Sequence, residues 1–212
     1  MGLRVEAARR DSDQRRAFVY LDSEGERTIT TIGERVGPEA GDDLPWDELD
    51  STDAVYVTAG NAETVRTARR AGKVVASVRT GAALVEAGVQ IDVLVASAND
   101  KGEQYVAGTI TPEPLWVVRT DGARGGSLQT PDGKITHWDA NPPFGPHGDT
   151  YGAGDSFAGG ITLGLGSGLA IEDAIAVGAF CGASAIRGRG PYVGQATLEE
   201  YHEWQKARET SG

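Results

Sequence analysis

The pattern of apolar positions changes character along the chain. Around the turn Asp22-Ser23-Glu24-Gly25 the segments Arg16–Leu21 and Arg27–Ile32 carry Phe18, Val19, Tyr20, Ile29 and Ile32, which predicts a β-hairpin. Gly37 to Pro45 is polar and broken by Pro and Gly, so it reads as a connector. Short buried-type runs then alternate with amphipathic ones. Strands are expected over Ala54–Thr58, Lys73–Val78, Ile91–Val95 and Leu115–Val118. Helices are expected from the Asn61 cap to about Ala71, over Gly81–Ala87 and over Lys101–Val106. Gly126 to Trp138 predicts a hairpin turning at Pro131-Asp132-Gly133. The last third is helical. Phe157, Ile161 and Leu165 recur every four residues, Glu172 and Asp173 open a second helix, and Thr197-Leu198-Glu199-Glu200 has the capping-box spacing for a third through Arg208. Strands alternating with helices predict an α/β fold, a mostly parallel sheet flanked by helices, with the opening ribbon projecting from it. We divide the chain where the connector begins, into residues 1–36 and residues 37–212.

Composition narrows the function classes. The chain has 212 residues, enough for one domain and a small appendage, and a formal net charge of −11. Such an acidic chain has no general pull on a phosphate backbone, and Trp46, Trp116, Trp138 and Trp204 have no interleaved basic residues, so no nucleic-acid partner is expected. Glycine supplies 30 residues with no collagen-like period, which points to local work in turns and close helix contacts. The single cysteine, Cys181, excludes an internal disulfide framework. With no membrane span and no signal-peptide pattern, a cytoplasmic protein is expected. His137, His147 and His202 lack metal-ligand spacing, and neither G-x-x-x-x-G-K-[ST] nor G-x-G-x-x-G occurs.

The stretch that carries chemistry is Asp149-Thr150-Tyr151-Gly152-Ala153-Gly154-Asp155-Ser156-Phe157. Gly152, Ala153 and Gly154 let the backbone turn so that successive N–H groups converge at a helix N-terminus, a place that favours an anion. An acid beside that cradle makes sense if Asp155 takes a proton from a hydroxyl while the cradle holds the phosphoryl group under attack. On the residues alone, a Gly-rich loop with Asp155 as a helix cap is the alternative.

This stretch resembles the C-terminal signature of the PfkB, or ribokinase-like, family of carbohydrate and nucleoside kinases, D-T-x-G-A-G-D-x-F, at every specified position. The resemblance implies a ribokinase-like fold and ATP-dependent phosphorylation of a hydroxyl on a sugar or related small molecule, with Mg2+ and in many members K+. It implies Asp155 as catalytic base, Gly152, Ala153 and Gly154 as the anion hole, and Asp149 with the Tyr151 carbonyl near a monovalent cation. Tyr151 departs from the small residue common there. Thr120, Asp121, Gly122 and Gly125 are similar to the family's nucleotide-contacting turn, with a plain hairpin turn as the alternative. Ala179, Ala183 and Gly190 correspond to the adenine wall, with close helix packing as the alternative. Ser97-Ala98-Asn99-Asp100 falls where the family carries N-x-x-E, so Asp100, or else Glu103, would organise Mg2+ indirectly.

Residues 1–36 look like part of the family's β lid, which often mediates dimerisation, and residues 37–212 like its nucleotide-binding domain. The match covers about the C-terminal two-thirds of a full family chain. The family's opening strand and Gly-Gly-x-x-x-Asn loop, which grip the acceptor, have no counterpart before Arg16. An uncovered sheet edge is therefore expected, and a catalytically inactive nucleotide-binding remnant is the alternative to an active kinase.

Overall fold

A computed structural model describes residues 4–21, 27–140 and 148–211. Its strands are β1 (Arg16–Leu21), β2 (Arg27–Ile32), β3 (Ala54–Val57), β4 (Lys73–Ser77), β5 (Val93–Ser97), β6 (Trp116–Thr120), β7 (Gly126–Gln129) and β8 (Ile135–Trp138). The helices are α1 (Ala62–Ala68), α2 (Gly81–Ala87), α3 (Ala153–Gly166), α4 (Ile171–Ala185), α5 (Gly190–Val193) and α6 (Leu198–Ser211). The main sheet has the order β3-β4-β5-β6-β7-β8, parallel from β3 to β6 and antiparallel from β6 to β8. The strands β1 and β2 form a separate antiparallel ribbon in which Val19 faces Ile29. The Asp22–Gly25 turn between them and His147 lie outside the described residues.

Alternation within β4 and β5 sorts side chains to the two faces of the sheet. Val74, Ala76, Leu94 and Ala96 pack with Val65 of α1 and Leu84 of α2. Val75, Val93, Val95 and Val118 pack on the other face with Phe157 and Ile161 of α3 and Ile175 of α4. The result is a helix–sheet–helix sandwich. Phe157, Ile161 and Leu165 bury as their spacing predicts, and the Phe157 ring stacks on Trp138 at a centroid distance of 5.4 Å. Between α3 and α4 the backbones nearly touch: a Cβ on Gly160 would lie 2.8 Å from Gly178 Cα, and one on Gly164 would lie 2.8 Å from Ala174 Cα.

Polar anchors fix the ends. The buried Asp92 carboxylate accepts from Arg69 Nη1 at 2.5 Å, Lys73 Nζ at 3.2 Å and Val74 N at 2.9 Å. Burial alone would raise the Asp92 carboxyl; its bonds to Arg69, Val74 and Lys73 outweigh that and hold it below the ordinary carboxylate value. The capping box closes reciprocally, with Glu200 N donating to Thr197 Oγ1 at 3.2 Å and Thr197 N to Glu200 Oε2 at 2.8 Å. The Arg187 guanidinium beside Glu200 helps lower that carboxyl to about 2.

Two expectations need correction. Lys101–Val106 is not a helix: a single 3-10 turn spans Lys101–Glu103, because Asp100 turns its carboxylate onto Gly102 N at 2.8 Å and the chain is extended by Gln104. The third and fourth main-sheet strands expected from the pattern begin later than read, at Val93 and Trp116, where the paired ladder starts, although Asp92 N already donates to the Val74 carbonyl at 3.0 Å and Leu115 N to the Ile91 carbonyl at 3.1 Å. Among the described residues no helix is long and apolar enough to cross a membrane.

Candidate active site

Ligands of open α/β sheets bind outside the carboxyl ends of the parallel strands. At that edge lie Tyr56 near the end of β3, Arg79 just past β4, Asn99 and Glu103 past β5, and Asp121 past β6. The N-terminus of α3 faces this edge and carries Asp155 in its first turn.

The turn before α3 is built around Gly152, whose φ of +88° is the left-handed region that disfavours any side chain. A Cβ there would also meet Pro191 Cβ at 2.6 Å. Gly154 differs, because a Cβ built on it meets nothing within 4 Å and it stands exposed at the helix start. Of the two glycines, then, Gly152 makes the turn and Gly154 leaves the approach open. Asp149 ties the turn together, accepting from Tyr151 N at 2.8 Å and from Gly190 N at 3.3 Å. Ser156 Oγ donates to the Gly152 carbonyl at 2.8 Å and accepts from Gln195 Nε2 at 2.6 Å, so the loop before α6 also braces the cradle.

Asp155 is about half exposed and meets two side chains that the sequence motifs did not reveal. Tyr56 Oη donates to its Oδ1 at 3.2 Å, and Arg79 Nη1 lies 3.7 Å from its Oδ2. Arg79 also binds Glu103 through Nε at 2.5 Å. Burial pushes the Tyr56 phenol up to about 12; a bond with Thr58 opposes this and the Asp155 charge adds to it, so the hydroxyl stays protonated as a donor. Burial would lower Arg79, but its bond to Glu103 and the charges of Glu103 and Asp155 raise it.

The residues expected to contact a nucleotide also lie at this edge. Thr120 ends β6, and its carbonyl accepts from Ala98 N at 2.9 Å, which places it beside the Ser97–Asp100 segment. Asp121 is held by Arg124 through Nη2 at 2.6 Å and Nε at 2.9 Å, and that pairing lowers its carboxyl. Gly122 has a φ of +58° and is exposed. Gly125 is buried, and a Cβ on it would fall 2.0 Å from the Trp138 carbonyl. Ala179 lies in the core with Phe157, whereas Ala183 and Gly190 are half-buried.

Asp100 and Glu103, the carboxylates expected to organise Mg2+, are engaged by Gly102 N and Arg79 respectively. Among the described residues no group of three or more His, Cys, Asp or Glu side chains is placed to hold a metal ion.

A cleft of about 290 Å3 adjoins Arg79. Arg35, Gly37 and Glu39 after β2 form one side, and Gly60 and Asn61 after β3 another.

Residues 2–197 match the model of the pfkB family of carbohydrate kinases. The chain belongs to that family. Its ribokinase-like fold is shared with solved kinase structures. Ribokinase from Arabidopsis thaliana, complexed with ribose and ATP, is 19% identical with a TM-score of 0.70, covering 90% of this chain and 68% of its own. The nucleoside kinase of Methanocaldococcus jannaschii is 14% identical with a TM-score of 0.69, covering 93% and 70%. Ribokinase from Thermotoga maritima is 19% identical with a TM-score of 0.65, covering 91% and 69%. This pfkB-family chain thus spans roughly two-thirds of the length of each. No curated protein sequence matches it.

Proposed function

We propose that this chain is an ATP-dependent kinase that phosphorylates a hydroxyl of a sugar or related small molecule, with Asp155 as the base. The observation that carries the reading is the arrangement at the start of α3. Asp155 stands next to the unobstructed Gly154 and turns its carboxylate to the edge where Tyr56 and Arg79 project. In the step, the Asp155 carboxylate accepts the proton of the acceptor hydroxyl. That oxygen bonds to the terminal phosphorus of ATP, the bond from phosphorus to the bridging oxygen breaks, and ADP leaves with the bond's electrons. The Gly152–Gly154 backbone, at the positive end of the α3 dipole, stabilises the charge spread over the phosphoryl oxygens.

In this reading Thr120, Asp121 and Gly122 meet the nucleotide, and Mg2+ neutralises phosphate charge when bound. Gly125, Ala179, Ala183 and Gly190 shape the surrounding wall. Asp149 and the Tyr151 carbonyl supply oxygens suited to a monovalent cation, while Asp149 also clasps the cradle to Gly190. The β1–β2 ribbon within residues 1–36, with Phe18, Tyr20 and Ile32 exposed, is the lid and the surface for a homodimer, and residues 37–212 are the nucleotide-binding domain. Calorimetry with ATP and Mg2+, run beside a coupled ADP-release assay over sugars and nucleosides, tests the reading. Acceptor-dependent ADP release is expected. A folded sample that binds no ATP refutes it.

A further inference from the structure

The cleft beside Arg79 is unusual in its charge. The chain carries a net −11, yet two of the side chains lining this cleft are arginines, Arg35 and Arg79. Arg79 is committed to Glu103 and Asp155. Arg35 is not: among the described residues it has no ion-pair partner, and its one hydrogen bond runs from Nη2 to the Thr58 carbonyl at 2.5 Å. A guanidinium has five N–H donors in a rigid fork, so that bond orients Arg35 and leaves most of its donors for something else. The one acidic side chain on the lining, Glu39, lies 3.6 Å from Arg10, a cation it shares with the closer Asp42 carboxylate. The volume of about 290 Å3 lies at the small end of the range for small-molecule pockets, which suits a single sugar-sized molecule.

We infer that this cleft takes an acceptor bearing an anionic oxygen group, a carboxylate or a phosphate ester, and that Arg35 is the residue that selects it. The inference rests on the kinase reading of Asp155 for the word acceptor. The oriented fork of Arg35 would pair with two anionic oxygens at one end of the molecule. Glu39 offers carboxylate oxygens to hydroxyl groups along it, Asn61, whose Oδ1 already accepts from Thr64 N and Thr64 Oγ1, offers its amide N–H groups, and a hydroxyl at the far end would lie toward Arg79 and Asp155. An uncharged sugar leaves the Arg35 fork without an anionic partner and gains none of this.

The test reads binding rather than turnover, so it stands apart from the success or failure of the kinase reading. Gluconate, galactonate, glucose 6-phosphate and fructose 6-phosphate are titrated into the full chain by calorimetry, with glucose, galactose and fructose as uncharged parents. At least one anionic probe is expected to bind about 10-fold or more tighter than its parent, and Arg35→Gln to weaken it about 10- to 100-fold, as expected for loss of a charged hydrogen-bonding partner. Arg35→Lys should restore part of the affinity, and binding of uncharged sugars should shift less than about twofold. Whether the sugar acids or the sugar phosphates respond identifies the anion. Parents that bind as tightly as anions, an Arg35→Gln variant with unchanged anion affinity, or no binding by any probe each overturn the inference. Melting curves accompany the variants; if Arg35→Gln does not fold, the wild-type preference and the Arg35→Lys affinity decide.

Discussion

Replacing Asp155 with Asn separates its chemical role from its structural one. Asn has the same shape and keeps a carbonyl oxygen for the Tyr56 hydroxyl, which now donates at 3.2 Å. What disappears is the negative charge 3.7 Å from Arg79 and the capacity to accept a proton. The side chains of Arg79 and Asp155 are 43% and 53% exposed, so water screens the pair and its loss costs under about 1 kcal/mol. Arg79 also keeps Glu103. For a chain of this size that is a drop in Tm of no more than about 4 °C. ATP affinity should hold or rise slightly, since a negative charge leaves the neighbourhood of the proposed phosphate cradle. The rate behaves differently. Removing a general base lowers kcat by roughly 10²–10⁴, equivalent to about 2.7–5.5 kcal/mol of barrier. The coupled ADP-release assay, ATP calorimetry and a thermal melt on the same sample measure the three quantities. Turnover within threefold of wild type removes Asp155 from the mechanism. A melt lowered by 10 °C shows instead that the residue is structural and that the exposure argument is wrong.

The glycines of the cradle should part company. Gly154→Val places its side chain in open space at the helix start, so phosphoryl transfer should collapse while the melt stays near that of wild type. Gly152→Val meets Pro191 and a φ of +88°, so the melt should fall with activity, by about 1–3 kcal/mol for the backbone strain alone. Matching melts for the two variants would refute this division. Asp92→Ala should cost about 3 kcal/mol in a urea titration, because it strips two cations and a buried N–H of their partner; a loss below 1 kcal/mol refutes the anchor. The Asp92 carboxyl is depressed in the fold, so its contribution is complete above the unfolded value of about 3.9. It is lost as pH falls through the lower folded value, and the difference between wild type and Asp92→Ala should narrow there.

Much of this architecture is legible from the sequence where local rules and tertiary structure agree. The four-residue spacing of Phe157, Ile161 and Leu165 and the Thr197–Glu200 box describe short-range physics, and both elements form as read. The stretch over Lys101–Val106 is not, because Asp100 and Gly102 favour a local side-chain turn that no apolar period reports. The cradle is legible as a motif, but its division of labour is not: the φ of Gly152 and the position of Pro191 show which glycine is sterically required. Tyr56, Arg79 and Arg35 carry no motif. Tyr56 lies 99 residues from Asp155 along the chain, and the strand order brings them together. The signal that could have found Tyr56 and Arg79 is positional, since each lies at or just beyond the carboxyl end of a parallel strand.

The bare contact between α3 and α4 affects how sequence variation in this protein should be read. A methyl group at Gly160 would need about 0.7 Å of additional helix separation to relax from 2.8 Å to ordinary carbon contact. A catalytic group must hold its place to within about 0.5 Å. Asp155 rides on the same helix, little more than one turn away, so widening this seam shifts the proposed base. A saturation library selected for phosphoryl transfer would thus show positions 160 and 178 as invariant, though both lie in the α3–α4 seam and away from the start of α3. Invariance at these glycines would measure a spacing tolerance and would mislead anyone who mapped active-site residues from selection alone.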